Sequence, residues 1–183
     1  VEAVDPNIKQ NTYLGFFLGA GLGYTLYMKN IPTLHGSVVD VDGNAIAFVG
    51  QSTAGKSTTA TSIAQLGYPI MNDDLIPLFY NPDEQLWRVA PGYTRMKLWE
   101  DASRVLNQKI LAPIVEDVPK HYVAIERFQT DSRPLKTIFL LQGRSAELTQ
   151  PSVEQLSKQK ALMYLMVHGY FYTFYETRMK HRL

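Results

Sequence analysis

Gly50-Gln51-Ser52-Thr53-Ala54-Gly55-Lys56-Ser57 carries glycine, lysine and serine at the spacing that lets a backbone loop wrap a polyphosphate. Glycines at its two ends allow tight turns that aim several N–H groups inward, where no side chain should intrude. Lys56 would neutralise the β- and γ-phosphates, and Ser57 would ligand Mg²⁺. The start of the following helix would add its partial positive charge. Gly50, Ser52, Thr53, Ala54, Gly55, Lys56, Ser57 and Thr58 are therefore the expected contacts to the phosphates of ATP or GTP. A glycine-rich turn between core elements is the alternative; the apolar strand leading in and the helix-forming stretch leading out count against it.

Asp73 and Asp74 follow Lys56 at a distance that fits one short helix and a return strand, so both carboxylates should emerge beside the loop. Phosphoryl transfer uses Mg²⁺ to bridge phosphates and gains from a carboxylate that accepts the proton of an attacking hydroxyl, and two aspartates can divide these tasks. In isolation Asp-Asp would read as a solvated turn or a helix cap. His35 is the third candidate. If the turn centres on Asp42 to Asn44, antiparallel pairing sets Val41 near Ala45, Ser37 near Val49 and His35 beside Gly50, close to the phosphates. There an imidazole could orient an aspartate or contact the γ-phosphate; a hydrogen-bonded histidine at the edge of a core is an equal reading. Arg95 and Lys97 share one face of a strand and could meet phosphate or a peptide carboxylate, or be two exposed cations.

These residues need a scaffold that the hydrophobic pattern supplies. Ser37 to Val41 and Ala45 to Val49 read as a hairpin around Asp42-Gly43-Asn44. A helix from Lys56 to Gln65 ends at Gly67, and Tyr68 to Met71 is a short strand running into Asn72-Asp73-Asp74. Short apolar clusters between Leu75 and Trp99, broken by Asn81-Pro82-Asp83 and Pro91-Gly92, suggest more β-structure. A short helix around Asp101 to Asn107 precedes a charged, proline-containing stretch expected to be a mobile loop over a site. Leu135 to Gln142 returns to a buried strand. Val153 to Arg178 is helical in character, with an aromatic patch from Tyr164 to Tyr175 that reads as core or as a contact in a homo-oligomer. The fold class expected is α/β: a mixed β-sheet carrying a P-loop and flanked by helices, as a single domain over 1–183.

Bulk properties exclude several classes. The 183 residues are 45% hydrophobic and 19% charged, with 18 Lys plus Arg against 17 Asp plus Glu, so no field of one sign exists to draw nucleic acid or anionic lipid. With no cysteine there is no disulfide framework, thiolate metal site or cysteine nucleophile, which suits a reducing cytoplasm. The uncharged run Asn11 to Met28 imitates a membrane span but falls short of the roughly 20 apolar residues a bilayer requires. It reads instead as a buried helix whose Gly15, Gly19 and Gly23 leave one face open to another backbone.

Leu34-His35-Gly36-Ser37-Val38-Val39-Asp40, the phosphate loop and Asn72-Asp73-Asp74 together resemble the catalytic core of the HPr serine kinase family, over about residues 34 to 76. The resemblance implies an ATP- and Mg²⁺-dependent kinase acting on a serine hydroxyl of a peptide or small protein. It assigns Asp73 as the base, Asp74 as the metal- or phosphate-side partner and His35 as a supporting catalytic residue. The Glu-x-Arg-Gly-Leu-Gly stretch of the bifunctional HPr kinase/phosphorylases is missing; Glu126-Arg127-Phe128 does not replace it. Pro91-Gly92-Tyr93-Thr94-Arg95-Met96-Lys97-Leu98-Trp99 looks more like the shorter HPr-kinase-like proteins of peptide-modifying systems, including the lasso peptide kinases, which phosphorylate the C-terminal serine of a precursor. Family members usually run further at both ends, so the chain reads as such a domain trimmed at one or both of them. An NTP hydrolase or nucleotide switch, and a binding module without turnover, are the competing classes; the aspartates beside the loop disfavour the first.

Overall fold

The computed structural model describes residues 13, 15–114, 118–143 and 150–170. Strands β1 (Thr33–Val41) and β2 (Asn44–Gly50) form the expected hairpin. Its loop has two residues, Asp42 and Gly43, both at positive φ (50° and 81°), the combination that matches the twist of paired strands. Val41 therefore pairs with Asn44 and Gly36 with Val49, one residue away from the register expected for a three-residue turn. Gly43 N–H also donates to the Asp40 carboxylate, which closes the turn.

Helix α2 (Lys56–Gln65) has the expected bounds, opening at Gly55 (φ 95°) and closing before Gly67 (φ 103°). Here α1 denotes Leu22–Met28, which continues a π-helical turn, Phe17–Gly21. The return strand β3 is much longer than expected, Ile70–Asn81, and Asn72-Asp73-Asp74 lie inside it rather than beyond it. It runs antiparallel to β1, with Ser37 opposite Asp73 and Gly36 opposite Asp74. Strand β4 (Leu86–Val89) turns back on β3. Strand β8 (Arg133–Leu141) pairs parallel to β2 and antiparallel to β4. The mixed sheet is as expected; its closure into a five-stranded barrel, in the order β1-β2-β8-β4-β3, is a feature the hydrophobic pattern did not reveal.

Both faces of the hairpin are covered, which explains its unbroken apolar runs. Val38, Ala45, Ala47 and Val49 point into the barrel with Met71, Ile76 and Val89. Val39 and Phe48 point outward, against Ala60 of α2 and a second, three-stranded sheet, β5-β7-β6. Strands β5 (Arg95–Trp99), β6 (Ile110–Pro113) and β7 (Lys120–Ala124) contribute Met96, Leu98 and Val123 to that outer core. The stretch expected to be a mobile loop thus holds two strands, although 115–117 lie outside the described residues. Helix α3 (Glu100–Val105) follows β5, one residue earlier than expected, with Glu100 and Asp101 in its first turn, where acidic groups suit the helix dipole.

Two helical expectations are corrected. The Asn11 to Met28 segment, described from Tyr13 apart from residue 14, is not buried: Phe16 and Phe17 are more than two-thirds exposed, and only Gly19 and Gly23 are covered. Its glycine face is approached by tyrosine rings rather than by another backbone, Tyr122 at Gly15 and Tyr170 at Gly19 and Gly23. At the other end, α4 spans Lys158–Val167, residues 150–157 have no regular structure, and the expected continuation to Arg178 lies outside the described residues. Leu165 packs against the barrel core while Leu162, Met163 and Met166 are exposed. No helix among the described residues is long and apolar enough to cross a membrane.

Candidate functional site

The phosphate loop leaves β2 at Gly50 and enters α2 at Lys56, so its position is fixed at both ends by core elements. Gly50 is required sterically, since a Cβ there would stand 2.6 Å from the Leu141 carbonyl oxygen. Gly55 is required conformationally, at φ 95° with open space around it. Thr53 also takes a left-handed backbone, φ 67°. Ser52, Thr53, Ala54, Gly55, Lys56, Ser57 and Thr58 line a cavity of about 900 Å³; Gly50 is not on its surface. Lys56 Nζ donates to the Gly50 and Gln51 carbonyls at 3.1 and 2.9 Å, which holds the ammonium over the loop. Burial lowers its pKa, against the attraction of Asp73 and Asp74.

The aspartates differ sharply. Asp73 is 4% exposed and fully partnered: its Oδ1 accepts from Ser37 Oγ at 2.7 Å and from Ser57 Oγ at 2.8 Å, and its Oδ2 accepts from the Lys97 amide at 2.8 Å. Burial and the neighbouring Asp74 charge raise its pKa, and these hydrogen bonds offset part of the rise. Asp73 does not line the cavity, whereas Asp74 does. Asp74 stands at φ 72°, a strained conformation for a non-glycine residue inside a strand, of the kind that gathers at working sites. Asn72 Nδ2 braces the kink by donating to the Leu75 carbonyl. The Asp74 carboxylate is ion-paired with Lys97, which holds its pKa below the usual range despite burial.

His35 reaches the same cavity. Burial pushes its imidazole down from 6.5 to about 4, and the Lys56 charge adds to the shift, so it is neutral at physiological pH. Its Nδ1 is buried without a hydrogen-bond partner. The ring lies 6.1 Å from that of Tyr170, and its backbone N–H donates to the His168 carbonyl. Of the two strand cations, Lys97 lines the cavity and Arg95 does not; both sit over the Tyr122 ring, at 5.9 and 5.6 Å, so the shared face is as expected. Three further residues were passed over in sequence. Ser37 lies within the quoted motif, but only its pairing with Asp73 reveals a role. Trp99 and Lys120 line the cavity, having arrived with a separate sheet that no local signal ties to the loop.

Among the described residues no group of three His, Cys, Asp or Glu could hold a metal unaided. A divalent ion here would take oxygen ligands from Ser57, a carboxylate and the nucleotide's own phosphates, the mode that suits Mg²⁺. The Ser57 hydroxyl fits this: its proton is donated to Asp73, which leaves oxygen lone pairs free for a cation.

No family model matches the chain. It is 36% identical over 63 residues to an HPr kinase/phosphorylase of Lachnoclostridium phytofermentans, a match covering 34% of this chain and 20% of that protein. It is 33% identical over 63 residues to the HPr kinase/phosphorylase of Caldanaerobacter subterraneus (34% and 21%), and 29% identical over 87 residues to that of Lactobacillus acidophilus (48% and 26%). The chain thus spans about a fifth to a quarter of the length of these relatives. The structure of the Hpr(Ser) kinase/phosphatase from Coxiella burnetii aligns over 59% of this chain and 63% of that one at 11% identity, with a TM-score of 0.41. Over the third to half of its length that these matches cover, the chain is similar to the HPr kinase/phosphorylases.

Proposed function

We propose that the protein is an ATP- and Mg²⁺-dependent serine kinase of the HPr kinase type. The observation that carries this is the convergence of Lys56, Ser57, His35 and Asp74 on one cavity, with the Asp73 carboxylate behind Ser57. A phosphate loop alone would serve a hydrolase equally well. A carboxylate facing the cavity beside it is what a docked hydroxyl requires.

The geometry favours a division of labour opposite to the one the family resemblance implies. Asp73 spends both oxygens on Ser37, Ser57 and the Lys97 amide, so its work is to fix the Ser57 hydroxyl toward the metal. Asp74 faces the cavity and is the proton acceptor. The acceptor serine oxygen attacks the γ-phosphorus, the bond to the β-phosphate oxygen breaks, and the serine proton passes to Asp74. Lys97 orients Asp74 through their ion pair. Neutral His35, with its unpartnered Nδ1, can hydrogen-bond the phosphoryl group or the acceptor without adding charge. Ser57 would hold Mg²⁺, which would supply charge neutralisation on the nucleotide, and positioning would provide most of the rate enhancement.

For the acceptor, we take a peptide serine, with the C-terminal serine of a lasso-type precursor as the specific candidate. It rests on the likeness of residues 91–99 to the shorter peptide-modifying kinases and on the missing Glu-x-Arg-Gly-Leu-Gly stretch. HPr itself is the second reading, favoured by the names of the matched relatives. The test is incubation with Mg-ATP, peptides ending in serine or carrying it internally, and HPr, read by acceptor mass. The expected result is a gain of about 80 Da, one transferred phosphoryl group, lost in Asp74→Asn, which keeps an oxygen for Lys97. Full transfer by Asp74→Asn would return the base role to Asp73.

A further inference from the structure

The small sheet that forms one wall of the cavity has two distinct faces. In β5 and β7, Trp99 pairs with Lys120 and Lys97 with Tyr122. Directly opposed residues of an antiparallel pair project to the same side, so Lys97, Trp99, Lys120 and Tyr122 share a face. The intervening residues Met96, Leu98 and Val123 are buried in the outer core on the other side. Lys97, Trp99 and Lys120 all line the cavity that the phosphate loop enters from β2 and α2.

Lys120 differs from its neighbours in having no hydrogen-bonded partner for its ammonium. Lys97 is ion-paired with Asp74, and Lys56 is hydrogen-bonded to two carbonyls. The Lys120 ammonium makes no hydrogen bond or ion pair with the described residues, yet its charge acts on His35, Lys56 and Asp74, which belong to three different elements. Those three groups line the cavity that would receive a γ-phosphate if Lys56 and Ser57 held the β-phosphate and the metal. Lys120 and Lys56 repel each other, a repulsion that Asp73 and Asp74 already offset in part and that a phosphate in the shared cavity would offset further.

We propose that Lys120 is a second phosphate-facing cation of this site, meeting the γ-phosphate of the bound nucleotide from the wall formed by the small sheet. It follows that Lys120 distinguishes ATP from ADP and stabilises the charge on the transferring group. The inference rests on the nucleotide-binding part of the proposed function.

The test is equilibrium binding of Mg-ADP and of the Mg complex of β,γ-imido-ATP to wild type, Lys120→Ala and Lys120→Arg. Loss of one charge-assisted contact to the γ-phosphate should weaken the imido analogue about tenfold or more in Lys120→Ala. ADP should bind within about twofold of wild type, which also shows that the variant is folded, and Lys120→Arg should restore most of the analogue's affinity. Equal weakening of both nucleotides, or of neither, overturns the inference. So does unchanged nucleotide binding with a raised KM for the peptide acceptor, which would place Lys120 on the acceptor instead. Wild-type protein that binds neither nucleotide would overturn the kinase reading itself, and this inference with it.

Discussion

Asp73 provides a test in which stability and metal use separate. Replacing it with alanine strands the buried Ser37 hydroxyl and the Lys97 amide without acceptors, and Ser57 loses its orienting partner. Each buried unsatisfied group costs about 1–3 kcal/mol. Relief of a desolvated charge offsets part of that, since burial and Asp74 already disfavour ionisation of Asp73. A net loss of about 3 kcal/mol is expected for Asp73→Ala, or about 6–12 °C in Tm for a chain of this length. Asparagine behaves differently. Its carbonyl can accept from the Lys97 amide while its NH₂ donates to the two serine oxygens, so all partners stay satisfied and stability should remain within about 1 kcal/mol of wild type. In that arrangement Ser57 accepts a hydrogen bond with the lone pair it would offer to Mg²⁺. The magnesium concentration for half-maximal turnover should then rise about 10–100-fold, as is usual when a ligand's supporting partner is lost. Urea unfolding and magnesium titration of ATP turnover measure the two effects. Asp73→Asn as unstable as Asp73→Ala, with an unchanged magnesium midpoint, would refute the reasoning.

Two further outcomes follow from burial and close packing. The folded state holds the His35 pKa near 4 against 6.5 when exposed, so the unfolded chain takes up this proton first as pH falls, and stability is lost between pH 6.5 and 4. Between pH 8 and pH 5 His35 should remove about 2 kcal/mol, a loss absent from His35→Gln; equal pH dependence in urea unfolding of the two proteins would contradict this. At Gly36 a Cβ would stand 2.3 Å from the Phe48 carbonyl oxygen and 2.9 Å from Ile76 Cδ1, and the carbonyl cannot withdraw without opening the hairpin. Gly36→Ala should cost about 1–3 kcal/mol and lower turnover, because His35 and Ser37 flank it; a wild-type Tm with wild-type turnover would show that the hairpin yields freely.

What could be read in the sequence had local causes. The Asp42-Gly43 turn, the phosphate loop with Thr53 and Gly55 at positive φ, and the helix end at Gly67 are set by backbone conformations that few residues tolerate, so the hairpin, α2 and the phosphate loop were legible. The hairpin register was missed by one residue because Asn44 is a turn former that here begins a strand. Asn72-Asp73-Asp74 were expected just past the end of the return strand; what holds them inside β3 is pairing with β1, where Ser37 meets Asp73. That contact joins residues far apart in the chain and leaves no periodic trace. The cavity-facing role of Lys120 was hidden for the same reason, since it depends on the partnership of β5 and β7. The exposed aromatic residues of the first helical segment were read as buried because hydrophobicity alone does not say what will cover them.

The central claim is that the cavity transfers a phosphoryl group to a hydroxyl rather than to water. Its most direct test is the fate of γ-labelled ATP incubated with the wild-type protein, Mg²⁺ and serine peptides or HPr. The account predicts label bound covalently to serine, with little free inorganic phosphate. Label released wholly as inorganic phosphate in the presence of every such acceptor would contradict it and make the protein a hydrolase.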